Sequence, residues 1–168
     1  GYISWQSHLF HARIAERGPI GVEQINQTGV GAFGMGSGET ELGLPEDEVY
    51  ARIGEEGFTR MVAAFYRQVP ADSILGPMYP RDDMEGAEKR LRDFLIFRFG
   101  GPPRYIQERG HPRLRMRHAP FRVNAAARDR WIQLMDNAME ETALPPAVEQ
   151  VLRPFFKHVA TFMINAGD

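Results

Sequence analysis

The sequence predicts an all-α fold. Three observations support this prediction. Apolar residues recur at helical spacing in four segments after Pro45, and these segments begin or end at proline, glycine, asparagine or aspartate. In addition, no segment alternates apolar and polar residues convincingly, as a half-buried strand does. A length of 168 residues suits one domain with an additional segment, and a hydrophobic content of 43% is enough for a packed core.

The first two apolar stripes predict two long helices. The stripe in residues 58–69 is stopped by Pro70, which cannot continue a helix without loss of a hydrogen bond. The stripe in residues 84–95 follows Asp82 and Asp83, which are candidate N-caps, and Gly-Gly-Pro ends it. The two stripes consist of Phe58, Met61, Val62, Phe65, Tyr66 and Val69, and of Met84, Ala87, Leu91, Phe94 and Leu95.

Two further stripes predict helices in the last third of the chain. Asn124 is the candidate N-cap of one helix, and Pro145-Pro146 begins the other. Residues 100–123, which precede both, are rich in Gly, Pro and Arg and show only a short helical pattern near residues 114–118. Irregular connections of this length are uncommon in compact domains and are often functional. The stripes contain Ala127, Trp131, Leu134, Met135 and Ala138, and Val148, Val151, Leu152, Phe155, Phe156, Val159 and Phe162.

The first 46 residues are predicted to be an N-terminal extension, separate from a domain over residues 47–168. Nine of the 17 glycines lie in the extension, which begins with a short amphipathic pattern and continues as a Gly-rich linker. Gly29, Gly31 and Gly34 match the GxGxxG spacing of dinucleotide sites. A polar segment precedes them where that site needs a buried strand, so a linker is favoured.

Charge and composition narrow the possible functions. A formal net charge of −2 argues against general affinity for nucleic acid or anionic membranes, and the absence of cysteine excludes disulfides and thiolate chemistry. No apolar run approaches the roughly 20 residues of a membrane span, and no secretory signal is visible, so we expect a cytoplasmic protein. His8 and His11 could share a metal, but without an evident third ligand solvated histidines are favoured.

His118 has the most distinctive surroundings of the five histidines. Arg115, Arg117 and Arg122 flank it, and Phe121 offers apolar cover. A neutral imidazole can be the axial ligand of an iron, and planar guanidinium groups suit the two carboxylates of a haem. Spacing alone favours a core histidine with one hydrogen bond over an iron ligand. The arginines can likewise be an ordinary solvated basic face.

Four sequence motifs resemble those of group II truncated haemoglobins. They are FYRQV at 65–69, YPRDDMEGAEKRLRDFL at 79–95, GHPRLRMRHAPF at 110–121 and RDRWIQLM at 128–135. The resemblance covers roughly residues 47–168. It implies a two-over-two helical sandwich, a shortened globin fold, around haem b (iron protoporphyrin IX).

The resemblance also implies roles for individual residues. His118 would be the proximal ligand of the iron, and Tyr66 and Trp131 the hydrogen-bond donors on the distal side, where a gas would bind. Periodicity alone favours core packing for these two aromatic residues, and the resemblance reverses that preference. Ala87 stands where many globins have a distal histidine. The remaining haem contacts would be Tyr79, Leu91, Phe94 and Phe121, and Arg117 would pair with a propionate of the haem.

The function that follows is binding of dioxygen, and of nitric oxide, carbon monoxide or peroxide, at haem iron. Tight binding with slow release favours redox chemistry, such as nitric oxide dioxygenase or peroxidase-like activity with a reductase partner, over oxygen transport. A haem-based sensor that acts through a partner of the N-terminal extension is the alternative from another class. A helical bundle without haem is a third reading, and the sequence leaves open a homodimer.

Overall fold

The computed structural model describes residues 43–110 and 122–167. Every regular element in these two ranges is helical, which confirms the predicted fold class. The five α-helices are α1 (Val49–Gln68), α2 (Met84–Arg98), α3 (Arg104–Arg109), α4 (Ala125–Thr142) and α5 (Pro146–Phe162), and short 3-10 turns lie at Glu46–Glu48, Val69–Ala71 and Gly76–Met78.

Helix α1 follows the first apolar stripe. Its buried face carries Phe58, Met61 and Phe65, all fully inaccessible to solvent, and it passes into the Val69–Ala71 turn where Pro70 was expected to end it. Gly54 interrupts the helix near its start with φ +64° and ψ −177°, a conformation open to glycine and strained for other residues. The chain therefore bends before the straight segment that carries Tyr66.

Helix α2 begins after Asp83, as predicted, but Asp83 does not cap the helix through its side chain as expected. The Asp83 side chain makes no capping hydrogen bond to the helix N-terminus. It pairs instead with Arg90 at 2.9 Å. This ion pair passes over Gly86, where a Cβ atom would overlap the Asp83 carboxylate. Because Gly86 has no side chain, the ion pair can span the two helical turns between Asp83 and Arg90.

Helix α3 corrects the prediction that the connection after α2 is irregular up to residue 114. Its six residues contain one buried side chain, Tyr105, so its sequence has too few apolar positions to show a helical period. Polar contacts hold it against α2. The Lys89 ammonium donates to Asp93 and to Glu108, both at 2.8 Å. Asp93 is only 3% exposed, so this bridge also neutralises a buried carboxylate.

Helices α4 and α5 confirm the two helices that the last two apolar stripes predict. The Asn124 side chain accepts a hydrogen bond from the Ala127 N–H at 3.0 Å, as an N-cap does, and α5 begins at Pro146. Val148, Leu152 and Phe156 are buried along α5. Phe162 differs from the prediction, because at the end of the helix it is 39% exposed.

The helices pack in the order that a two-over-two sandwich requires. Helix α1 packs against both α2 and α4, α4 also packs against α5, and α3 rests on α2. The apolar faces meet in one core that all the long helices share. None of the helices in residues 43–110 and 122–167 is long and apolar enough to cross a membrane.

Several predictions fall outside the described residues. They concern the N-terminal extension with its Gly-rich linker, the glycines of the GxGxxG match, and His8 and His11. The division between residues 46 and 47 remains a prediction.

We expect Gly100→Ala to destabilise the fold by roughly 1–3 kcal/mol or more. Gly100 has φ +96°, and a Cβ atom there would overlap the backbone carbonyl of Asp47, at the start of the domain. Chemical denaturation of the haem-loaded protein, followed by circular dichroism, measures the change. Gly43→Ala is the matched control, since a Cβ atom at Gly43 meets nothing within 4 Å. Equal midpoints for both variants would contradict the prediction.

Candidate functional site

A cluster of buried aromatic rings joins α1, the corner after it, α4 and α5. We call Phe65, Tyr66, Tyr79, Trp131 and Phe156 the aromatic cluster. Ring centroids are 5.8 Å apart between Tyr79 and Tyr66, and 5.4 Å apart between Tyr66 and Phe65. They are 5.4 Å apart between Phe65 and Trp131, and 5.6 Å between Trp131 and Phe156. The structure therefore brings three of the predicted site residues, Tyr66, Tyr79 and Trp131, into one cluster, in which Phe65 links Tyr66 to Trp131.

Tyr66 is kept neutral by its surroundings. Burial raises the pKa of the Tyr66 hydroxyl well above its ordinary value, and Glu88 and Asp83 add to this while Arg90 opposes it. Tyr66 is only 4% exposed. The hydroxyl thus keeps its proton and remains a hydrogen-bond donor at any physiological pH.

Three predicted contact residues share one face of α2. Ala87, Leu91 and Phe94 follow each other at intervals of four and three residues, so they lie one above another on the helix. All three are at most 4% exposed. The charges of Glu88 and Arg90 on α2 affect the pKa of the Tyr66 hydroxyl, so Tyr66 lies beside the first half of this helix. The face offers small and apolar surface and no side-chain donor.

A cavity of about 290 Å³ lies between α2 and α3. Arg90 and Arg109 line it together with Tyr105, whose ring packs edge-on against Phe94 at a centroid distance of 5.8 Å. Guanidinium groups therefore lie at the border of the apolar face of α2. The other lining residues are Gly86, Lys89, Asp93 and Glu108.

The corner between α1 and α2 is organised by Asp72. One carboxylate oxygen, Oδ1, accepts from the backbone N–H groups of Ile74 and Leu75 at 2.9 and 2.8 Å. The other, Oδ2, accepts from Arg130 on α4 at 2.9 Å. Burial alone would raise the pKa of Asp72, but the two backbone donors and the Arg130 guanidinium lower it below its ordinary value. The ionised carboxylate is therefore part of the folded structure.

The predicted residues of the other side, His118, Arg117 and Phe121, lie outside the described residues. Their roles remain predictions from the sequence. The described part of the site consists of the aromatic cluster, the apolar face of α2 and the arginines at its border.

Comparison with known proteins identifies the family. The model of the bacterial-like globin family matches residues 48–165. The chain belongs to this globin family. The group 2 truncated hemoglobin YjbI of Bacillus subtilis is 37% identical over 127 residues, which are 76% of this chain and 96% of that protein. The resemblance to group II truncated haemoglobins is thereby confirmed.

Solved globin structures share the fold. The thermostable hemoglobin of Thermobifida fusca superposes with a TM-score of 0.66 at 48% identity and covers 70% of this chain and 97% of its own. The truncated oxygen-avid haemoglobin of Bacillus subtilis superposes with a TM-score of 0.64 at 37% identity and covers 70% of this chain and 98% of its own. The truncated globin architecture that the sequence predicts is confirmed.

Globins bind dioxygen and other diatomic gases at haem, and haem b is the cofactor of this globin. The described residues fit such a group. Ala87, Leu91 and Phe94 provide apolar surface for a flat macrocycle. Arg109, and Arg90 with its partner Asp83, line the border of that surface, and planar guanidinium groups are suited to pairing with carboxylates.

Sequence reasoning missed two features of this globin site. Tyr105 supports Phe94 from α3, but two neighbouring apolar residues, Tyr105 and Ile106, in a six-residue helix give no periodic signal. The Asp72–Arg130 ion pair joins residues 58 positions apart, and no local pattern reports such a contact. The Asp-Ser-Ile-Leu segment did carry a usable signal, because an Asp that begins a turn commonly accepts from the backbone N–H two residues later.

We expect Asp72→Asn to lower stability at pH 7 by roughly 1.5–3 kcal/mol, since it removes a charge-assisted hydrogen bond to Arg130. The pKa of Asp72 is lower in the folded state, so its stabilisation is complete above about pH 4, the range of the unfolded pKa, and is lost as pH falls through the folded pKa. Urea denaturation of both proteins over a pH series should show the difference shrinking below about pH 4.

The control is Glu141→Gln, which removes one partner of the exposed Arg67–Glu141 pair and should cost at most about 1 kcal/mol. A difference between Asp72→Asn and the wild type that stays constant down to acid unfolding would show that the carboxylate charge contributes nothing.

Proposed function

We propose that this globin holds dioxygen with high affinity and releases it slowly. The observation that carries the proposal is the pair of buried donors, Tyr66 and Trp131, whose rings both pack against Phe65. An indole N–H only donates, and a hydroxyl kept neutral by burial also donates. The oxygen-avid character stated for the Bacillus subtilis haemoglobin supports the same function here.

The proposed roles follow the sequence motifs. His118 holds the iron through a neutral imidazole, with Phe121 as apolar cover and Arg117 at a propionate. Tyr66 and Trp131 donate to the bound gas, and Tyr79 supports Tyr66 through the edge-on contact of their rings. Ferrous haem supplies the metal that binds the gas and the electron density that makes bound oxygen a good acceptor.

The free energy of the donor hydrogen bonds sets how far they slow the release of oxygen. A hydrogen bond to a charged acceptor contributes roughly 1.5–3 kcal/mol, and each 1.4 kcal/mol changes a dissociation constant about tenfold. Ala87 and Leu91 have no donor to offer, so the α1 and α4 sides supply the polar contacts. Ala87, with a single methyl group, leaves space beside the bound gas.

Slow release favours redox chemistry over oxygen transport. Conversion of nitric oxide and dioxygen to nitrate consumes one electron, which a reductase partner in the cytoplasm would supply; peroxide reduction likewise needs an electron donor. We therefore propose nitric oxide dioxygenase or peroxidase-like activity. Turnover with nitric oxide or peroxide in the presence of an electron donor tests this use. A globin that binds both but turns over neither would instead favour the sensor function.

We expect Trp131→Phe to raise the oxygen dissociation rate roughly ten- to a hundredfold, because it removes the indole donor and keeps an aromatic ring against Phe65. Stopped-flow displacement of oxygen by carbon monoxide measures the rate. Ile132→Val alters the next residue of α4 without removing a donor and should leave the rate unchanged. If both variants release oxygen at the wild-type rate, Trp131 does not hold it.

We expect His118→Ala to abolish normal haem ligation, because it removes the imidazole to which the family resemblance assigns the iron. Absorption spectra of the ferric, ferrous and carbon monoxide forms test this. His158→Ala, which removes an exposed histidine of α5, is the control and should retain the wild-type spectra. An unchanged Soret band and unchanged carbon monoxide binding in His118→Ala would refute the assignment.

A further inference from the structure

The Asp72 carboxylate joins two parts of the site through its two oxygens. Its Oδ1 atom fixes the backbone of the corner at Ile74 and Leu75, and its Oδ2 atom binds Arg130 of α4. The Asp72 side chain is 5% exposed, whereas that of Arg130 is 35% exposed. A nearly dry carboxylate at one end makes this ion pair stronger than a solvated surface pair.

A continuous series of hydrogen bonds leads from Asp72 to Tyr79. The Gly76 N–H donates to the Asp72 carbonyl at 2.9 Å, the Met78 N–H to Leu75 at 2.9 Å, and the Tyr79 N–H to Gly76 at 3.4 Å. The corner is therefore a stiff turn rather than a loose loop. The position of the Tyr79 ring, and through it that of Tyr66, follows the position of Asp72.

Arg130 is the immediate neighbour of Trp131 on α4. Several polar contacts among the described residues join α4 to α1 or to the corner that follows α1. Among those described here, the Asp72–Arg130 pair is the nearest to Trp131 in sequence. Gln68 donates to the Leu134 carbonyl at 2.9 Å, and Arg67 pairs with Glu141 at 2.7 Å further along the antiparallel helices. The Asp72–Arg130 pair therefore adds a polar restraint on the first turns of α4 to the ring packing of Trp131 against Phe65.

We propose that Asp72 and Arg130 are positioning residues for the distal donors: their ion pair fixes α4, and so the Trp131 indole, relative to the corner and helix that carry Tyr79 and Tyr66. The proposal rests on the proposed function, in which Trp131 and Tyr66 hold the bound gas. It adds two residues that touch neither haem nor gas and act through the residues they place. Small displacements of a donor weaken a hydrogen bond steeply, so the pair sets the oxygen release rate.

The test uses haem-loaded full-length variants. Asp72→Asn keeps an oxygen that can accept from Ile74 and Leu75, but its amide nitrogen cannot accept from Arg130. Arg130→Ala removes the same contact from the other side, and Arg130→Lys keeps the positive charge. The matched control is Arg67→Ala, which removes another ion pair between α1 and α4, with side chains 64% and 49% exposed. Trp131→Phe is measured in parallel.

Two quantities are measured: the oxygen dissociation rate, and the C–O stretching frequency of the carbon monoxide complex, which reports the field of nearby donors. We expect Asp72→Asn and Arg130→Ala each to raise the rate about three- to tenfold, part of the effect of losing a donor. The stretching frequency should shift in the direction seen for Trp131→Phe. The double variant should do no more than either single one, because both remove one contact. Arg130→Lys should restore part of the wild-type behaviour.

Other outcomes overturn the proposal, and they do so in distinguishable ways. If Trp131→Phe accelerates release while Asp72→Asn and Arg130→Ala leave both quantities unchanged, the ion pair has no positioning role and the proposed function stands. If Arg67→Ala has the same effect as Arg130→Ala, general loosening of the two helices explains the change. If Trp131→Phe itself leaves the rate unchanged, the proposed function fails and the positioning role fails with it.

Discussion

The packing of α1 against α4 is the constraint on which the site depends. Phe65 packs against Tyr66 of its own helix and against Trp131 of α4, with a centroid distance of 5.4 Å in each pair. Burial of these three large aromatic rings stabilises the helix pair. The same burial places an indole N–H and a phenol hydroxyl in an environment of low dielectric, where a hydrogen bond to a polar ligand is stronger than in water.

The proposed donors, Tyr66 and Trp131, are thus part of the core of this globin. A donor that stands on a mobile loop would lose side-chain and backbone freedom each time it met a ligand. Tyr66 and Trp131 have lost that freedom on folding, so little further ordering is needed when a gas binds. Burial also fixes the protonation of Tyr66, since it raises the pKa of the hydroxyl well above the physiological range.

Charged side chains hold the less regular parts of the chain against this core. Asp72 ties the corner after α1 to Arg130 on α4, and Lys89 ties α3 to α2 through Asp93 and Glu108. Both arrangements include a carboxylate that is almost dry and fully compensated by donors. The helices come from apolar periodicity, whereas the segments between them depend on these specific polar contacts.

The sequence by itself determined the four long helices, their boundaries at Pro70, Asn124 and Pro146, and the family resemblance, because helical period, capping and motif spacing are local properties of the chain. It also indicated Tyr66, Tyr79 and Trp131, though their period is that of any core helix. Only the tertiary structure decided that these rings join in one cluster with Phe65, that Tyr105 of α3 packs against Phe94, and that Asp72 binds Arg130. Such contacts join residues far apart in the chain, and their geometry exists only once the helices have packed.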